Sequence, residues 1–289
     1  MSLTGLFVPL ITPFATNGEI ATDALRKLAS DVLDDGAAGL VVLGTTAETA
    51  TLTPEDRRIV VDVCADVSTE HGTPLLVGAG SNSTADSTDM LADLDPRATA
   101  ALVVVPYYTR PSEDGVVEHF RRLAAESAVP LIVYNVPYRT GTTLSAATLS
   151  RLALIPNVVG FKHSVGGIDD ATVAFMSERP AGFSVLAGDD LYTGPLLALG
   201  ASGAILASAN VAARAYAGLV TAWRDGPLDR ARDQHDRLVP LTRALFAEPN
   251  PVVIKAVLAA RGRIPTPDVR LPLLAAGTAA VTAALDALG

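Results

Sequence analysis

The sequence predicts an α/β fold, a (β/α)8 TIM barrel over residues 1–224 followed by a C-terminal helical region over 225–289. Three observations carry this expectation. Short apolar runs rich in β-branched residues recur at intervals of roughly 25 to 35 residues, at 6–12, 40–43, 75–77, 102–105, 131–135, 158–162, 184–187 and 204–206. Amphipathic segments fill the gaps, and parallel strands need such crossovers. Eight units within about 210 residues is the count of a closed barrel, whereas an open doubly wound sheet rarely spaces eight units so evenly.

Taken in order, the first run, 6–12, precedes an amphipathic helix expected at 23–33. The second leads into Gly44-Thr45-Thr46-Ala47-Glu48-Thr49. There Gly44 permits a tight turn, and successive N–H groups followed by hydroxyls suit a carboxylate, or else cap the next helix. That helix is expected at 54–67, because Thr53-Pro54-Glu55-Asp56 combines a capping hydroxyl, Pro at the first position and first-turn acids. The third run ends in Gly78-Ala79-Gly80-Ser81-Asn82, which lacks the third Gly of a dinucleotide loop and reads as a plain βα turn.

The fourth run enters Pro106-Tyr107-Tyr108-Thr109-Arg110-Pro111. Paired tyrosines in a chain with only 5% aromatics supply a phenol to a site or pack a subunit contact. Helices are expected at 115–125 and, capped by Ser145, at 147–153. Between them the fifth run places Tyr134 one strand from Lys162, so both can point into the barrel mouth. Arg139, just beyond, has a planar fork suited to a carboxylate, although a plain loop Arg would read the same.

The sixth run, Val158-Val159-Gly160-Phe161-Lys162-His163-Ser164, holds the most informative residue. The chain has nineteen Arg and three Lys, so a Lys inside an apolar strand points to chemistry that Arg cannot do. Only a neutral amine attacks a carbonyl, and Arg does not deprotonate. The competing reading is an ammonium that snorkels to solvent from a strand end. The seventh run ends in Gly188-Asp189-Asp190, two carboxylates without a third metal ligand at suitable spacing, so a capping or structural role is expected. After the eighth run and Gly226-Pro227 the strands stop, and 228–246, 251–261 and 273–288 read as helices. His71, His119 and His235 read as surface residues.

Composition narrows the function classes. With 49% hydrophobic and 18% charged residues the chain supports a packed core. A net charge of -9 without a basic cluster excludes nucleic acid and anionic membrane surfaces as partners. The single Cys64 leaves no internal disulfide and no Cys-rich zinc site, and its helical run predicts a small buried hydrophobe. No signal peptide or membrane span is expected, which predicts a cytoplasmic protein.

GTTAE at 44–48, PYYTRP at 106–111, YNVPYRTG at 134–141, GFK at 160–162 and GDD at 188–190, in this order, resemble the dihydrodipicolinate synthase / N-acetylneuraminate lyase family of pyruvate-dependent class I lyases and aldolases. The likeness runs from Pro9 to Lys255. It implies that Lys162 forms a Schiff base with pyruvate, that Tyr134 transfers protons, and that Thr46 and Tyr108 complete a hydroxyl relay, Tyr108 reaching in from a neighbouring subunit. Thr45 and Thr46 would hold the pyruvate carboxylate, Arg139 the carboxylate of a second substrate, and Ile205 the floor.

The resemblance also implies a homotetramer, a dimer of dimers, and no metal or organic cofactor beyond the covalent Lys–pyruvate imine. The Thr-Thr pair, Tyr108 and Arg139 favour dihydrodipicolinate synthase within the family, with aspartate 4-semialdehyde as the second substrate. A 2-keto-3-deoxy sugar-acid aldolase or dehydratase, an N-acetylneuraminate lyase-like enzyme, and an inactive keto-acid-binding paralogue are the alternatives. Ala47 and Tyr138 stand where synthases often have Gly, and His163 where an acid is common; these bear on the second substrate. Pro54 and Arg57 replace the His residues frequent in lysine-sensitive members, which predicts weak or absent lysine inhibition.

Overall fold

The structure is a computed structural model that describes residues 2–289. Its strands are β1 (Gly5–Pro9), β2 (Gly39–Val42), β3 (Leu75–Gly78), β4 (Ala100–Val104), β5 (Leu131–Asn135), β6 (Val158–His163), β7 (Ser184–Ala187) and β8 (Gly203–Ile205). They close in sequential order into a parallel barrel, the predicted TIM architecture. Such strands are covered on both faces, so they read as unbroken apolar runs. All five residues of β5 are buried, for example. β1 is shorter than its apolar run. Beyond Leu10, whose N–H still donates to the Val41 carbonyl at 3.0 Å, the ladder gives way to side-chain bonds: the Ile11 N–H donates to Asn210 Oδ1 at 3.1 Å, and Thr12 Oγ1 donates to the Ala47 carbonyl at 2.8 Å.

By internal packing the chain groups into two compact units, one containing Leu76–Ile205 with the N-terminal residues to Gly5, the other Leu6–Leu75 with Leu206–Gly289. In the first unit, β6 crosses β7 so closely that a Cβ on Gly160 would lie 2.6 Å from the Ser184 carbonyl oxygen. Gly at that position is a packing requirement. Ser145 caps helix Ala146–Ala153 as expected, accepting the Thr148 N–H at 3.3 Å.

In the second unit, Thr53 and Asp56 form a reciprocal capping box on helix Pro54–His71, with Pro54 at the first position. Buried Cys64 fills the inner side of that helix, and burial pushes its thiol up to about 12. Strands cease after helix Ala209–Asp225, and helices Leu228–Leu245, Val252–Ala260 and Thr278–Leu288 follow. The last begins at Thr278 rather than at 273, because extended Gly277 serves as its N-cap, donating its N–H to Glu248 Oε1 at 2.9 Å. No helix among the described residues is long and apolar enough to cross a membrane.

The surface assignment of the histidines is corrected. His119 is buried on the inner face of helix Glu113–Glu126, in register with Val116, Phe120 and Leu123. Its Nδ1 lies 2.9 Å from Thr84 Oγ1 and its ring stands edge-on to Phe120, 5.0 Å between centroids. His71 is half-buried, bonded to the Val67 carbonyl at 2.9 Å and to Ser30 Oγ at 3.3 Å. His235 is also half-buried.

Candidate active site

Lys162 lies directly across the β5–β6 pair from Tyr134. The two side chains are 5% and 7% exposed, and Lys162 Nζ sits 4.3 Å from the centre of the Tyr134 ring. A snorkelling ammonium would reach water; this one is enclosed near the carboxyl end of its strand, the end where barrels of this kind carry their chemistry. Room for it depends on Gly188. A Cβ there would approach Lys162 Cγ to 2.8 Å and Cε to 3.0 Å, and would overlap Ser164 Oγ. Ile205, the last residue of β8, is fully buried.

Three loops of the same unit converge through Asp189. Residues Pro137–Thr140 form a short helical turn rather than an open loop, with Pro137 starting it and Gly141 at φ 71° ending it. The turn exposes Tyr138 and Arg139. The Arg139 guanidinium carbon stands 5.5 Å from the centre of the Tyr138 ring, a cation–π distance. The Tyr138 hydroxyl makes a long hydrogen bond to Asp189 Oδ1, 3.5 Å, while Asp189 Oδ2 accepts the Gly166 N–H at 2.6 Å. Burial raises the Asp189 carboxyl above the ordinary range, opposed by the Gly166 amide, the charge of Lys162 and the Tyr138 hydroxyl. Gly188-Asp189-Asp190 is thus a strut between loops. Among the described residues no group of three or more His, Cys, Asp or Glu converges as metal ligands would.

Tyr108 is 86% exposed and adopts φ 68°, an unusual conformation for a bulky side chain, and Tyr107 beside it is 39% exposed. His163 faces the other way from Lys162, because successive strand residues alternate. Thr172 Oγ1 donates to Asp169 Oδ1 at 2.6 Å, so it accepts from His163 Nε2 at 2.8 Å. That leaves Nδ1 as the acceptor facing Asn135 Nδ2, 3.4 Å away. The non-acidic residue after Lys162 is therefore a buried link to helix Asp170–Glu178, not a group aimed at the barrel mouth.

Burial pushes His163 down to about 4 against the opposing pull of Asp169, and pushes His119 to about 4 as well. Each unfolded imidazole titrates near 6.5, so between about pH 6.5 and 4 the unfolded chain binds more protons. Stability is fully present above pH 6.5 and is lost as pH falls through 4, by about 3 kcal/mol per buried histidine at most. Urea unfolding across this window should show that slope, and a His163→Gln variant should flatten it.

In the second unit the turn after β2 runs through two 3-10 segments, Thr45–Ala47 and Thr49–Thr51. The left-handed residues are Leu43 and Glu48, at φ 54° and 57°, whereas Gly44 is extended at φ -78° and does not supply the turn. Thr45 is half-buried and Thr46 buried. Thr46 Oγ1 accepts the Asn250 side-chain amide at 2.9 Å, which leaves its hydroxyl hydrogen free to donate elsewhere. Ala47 is buried, its carbonyl held by Thr12.

Sequence reasoning missed the group that pins this turn. Glu48 Oε1 meets Lys255 Nζ at 2.7 Å with both side chains essentially inaccessible, and Oε2 accepts the Arg270 N–H at 2.8 Å. Lys255 Nζ lies 3.9 Å from the centre of the Phe14 ring and the Arg270 guanidinium carbon 4.5 Å from it. Arg270 also holds the Thr51 carbonyl at 2.9 Å and Asp56 at 2.6 Å. Burial pulls the Lys255 amine below its usual value, with Glu48 opposing. The signal was available: Lys255 is a second Lys in an apolar run, in a chain that prefers Arg.

A closed parallel barrel with an enclosed amine at one strand end suits a lyase that makes or breaks carbon–carbon bonds through an imine, and the family places the chain in that class. The chain belongs to the dihydrodipicolinate synthetase family, whose model matches residues 2–288. It is 40% identical to the 4-hydroxy-tetrahydrodipicolinate synthase of Methanothrix thermoacetophila over 270 residues, 93% of this chain and 90% of that one. The dihydrodipicolinate synthase of Thermotoga maritima superposes with a TM-score of 0.95 at 34% identity, covering 100% and 98% of the two chains. The chloride-inhibited dihydrodipicolinate synthase of Acinetobacter baumannii, solved in complex with pyruvate, gives 0.94 at 32% identity over 99% and 98%.

Proposed function

We propose that the protein condenses pyruvate with aspartate 4-semialdehyde to 4-hydroxy-tetrahydrodipicolinate through an imine on Lys162. The observation that carries this reading is the enclosed Lys162 amine 4.3 Å from the Tyr134 ring. Neutral Lys162 adds to the ketone carbon of pyruvate, and loss of the oxygen as water leaves a protonated imine. That imine is the electron sink, so no external cofactor is needed. Loss of a methyl proton gives an enamine, whose carbon attacks the aldehyde while the Tyr134 phenol protonates the new alkoxide. The amine of the condensed product then displaces Lys162 and closes the ring.

Around this centre, Thr46 and Tyr108 extend the hydroxyl relay from Tyr134, and the free hydroxyl hydrogen of Thr46 supports that role. The exposure of Tyr108 fits a side chain that completes the site of a neighbouring subunit in a homotetramer, a dimer of dimers, in the cytoplasm. Backbone groups of Thr45 and Thr46 hold the pyruvate carboxylate, Ile205 lines the floor, and Arg139 takes the carboxylate of the aldehyde substrate. A coupled assay with both substrates tests the assignment: turnover is expected, and cleavage of a 2-keto-3-deoxy sugar acid without turnover of the semialdehyde would overturn it.

Tyr138 gives this reading a sharper test. Its ring flanks Arg139 and its hydroxyl meets Asp189, so it braces the second-substrate side alone. Tyr138→Ala should raise the KM for aspartate 4-semialdehyde about three- to tenfold, the scale of one such contact, and leave the KM for pyruvate unchanged.

A further inference from the structure

Asn250 lies on the turn between helices Leu228–Leu245 and Val252–Ala260, and its side-chain amide donates to a single atom, Thr46 Oγ1, at 2.9 Å. The other end of that amide, Oδ1, is buried and meets no donor. Amides that hold a fold together are as a rule satisfied at both ends, so this one serves one hydroxyl. The turn that carries Thr46 keeps its shape without it. Lys255 Nζ meets Glu48 at 2.7 Å, Thr12 Oγ1 donates to the Ala47 carbonyl at 2.8 Å, and Thr49 Oγ1 donates to the Gly44 carbonyl at 2.9 Å. Thr46 itself is 2% exposed, and among the described residues its hydroxyl hydrogen has no acceptor. A hydroxyl offers one hydrogen and two acceptor pairs. The Asn250 N–H fills one pair, which leaves the other pair and the hydrogen uncommitted.

We infer, on the relay reading of Thr46 above, that Asn250 is a positioning residue for proton transfer: its amide keeps the Thr46 hydrogen in the relay and out of the hydrogen bonds of the fold. As the enamine carbon bonds to the aldehyde, the Tyr134 phenol gives its proton to the alkoxide. The tyrosinate then takes the Thr46 hydrogen, and Thr46 Oγ1 takes one from Tyr108 of the partner subunit on its open pair. The reverse step passes a proton outward along the same three oxygens. An amide donor permits both directions, because it neither loses nor gains a proton. A side chain that accepts would capture the Thr46 hydrogen and interrupt the chain at its middle.

The test measures kcat and both KM values for Asn250→Ala, Asn250→Asp, Thr46→Val and the double variant Thr46→Val with Asn250→Ala. Asn250→Ala should lower kcat about tenfold and leave the pyruvate KM unchanged, because the backbone of the turn stays in place. Asn250→Asp, nearly the same shape but an acceptor, should fall further, about 100-fold, as should Thr46→Val. The double variant should match Thr46→Val within about twofold, since Asn250 acts only through that hydroxyl. Either Asn250 variant keeping kcat within about twofold of wild type overturns the inference, and Asn250→Asp carries that test if Asn250→Ala does not fold. A raised pyruvate KM with unchanged kcat in Asn250→Ala overturns it too, as the mark of a structural tether. So does a double variant whose loss is the product of the two single losses. Full activity in Thr46→Val removes the relay reading itself, and the role of Asn250 with it.

Discussion

Lys162→Arg is expected to abolish turnover while leaving a folded barrel. Arg keeps the positive charge but not the reversible loss of a proton, so no nitrogen at that position adds to a ketone. The drop in kcat should be on the order of 10⁵-fold, as for other covalent nucleophiles removed from otherwise intact sites. Circular dichroism on the same sample separates chemistry from misfolding, a necessary control because Gly188 leaves little space around the Lys162 stem. A variant that folds and retains more than about a hundredth of wild-type kcat contradicts nucleophilic catalysis by Lys162.

The largest effect on stability is expected at Lys255. Removing it by Lys255→Ala strands the Glu48 carboxylate in a pocket that water does not reach, with only the Arg270 N–H left on Oε2. Breaking a buried pair in this way costs about 3–5 kcal/mol, read as a lower midpoint in urea unfolding. Replacing both partners, Lys255→Met with Glu48→Gln, should recover most of the loss, since no uncompensated charge remains. The double variant also separates two roles for the pair. If full stability returns while the pyruvate KM of the double variant exceeds that of wild type, the charges themselves set the conformation of the Thr45–Thr46 turn. If the single variant unfolds at the wild-type urea concentration, the pair contributes nothing.

The strands, and the placement of Lys162 near the end of one of them, were legible because a parallel sheet covered on both faces leaves its signature locally, in unbroken apolar runs. Seven of the eight strands begin within one residue of their runs, and the capping box at Thr53 was readable for the same local reason. What was hidden depends on residues far apart in the chain. Glu48 and Lys255 are separated by 207 positions and Thr46 and Asn250 by 204, and no local pattern links them. The tie from Tyr138 to Asp189 spans 51 positions and arises only where strand-end loops converge. The outward turn of His163 was different: strict alternation from an inward Lys162 implied it, and it leaves Tyr138, not His163, beside Arg139.

The most direct measurement is reductive trapping. Wild-type protein mixed with pyruvate and borohydride, then digested and mapped by mass spectrometry, should carry one reduced pyruvate adduct per chain, on the peptide containing Lys162. An unmodified Lys162, or an adduct found on Lys27 or Lys255 instead, would contradict the account.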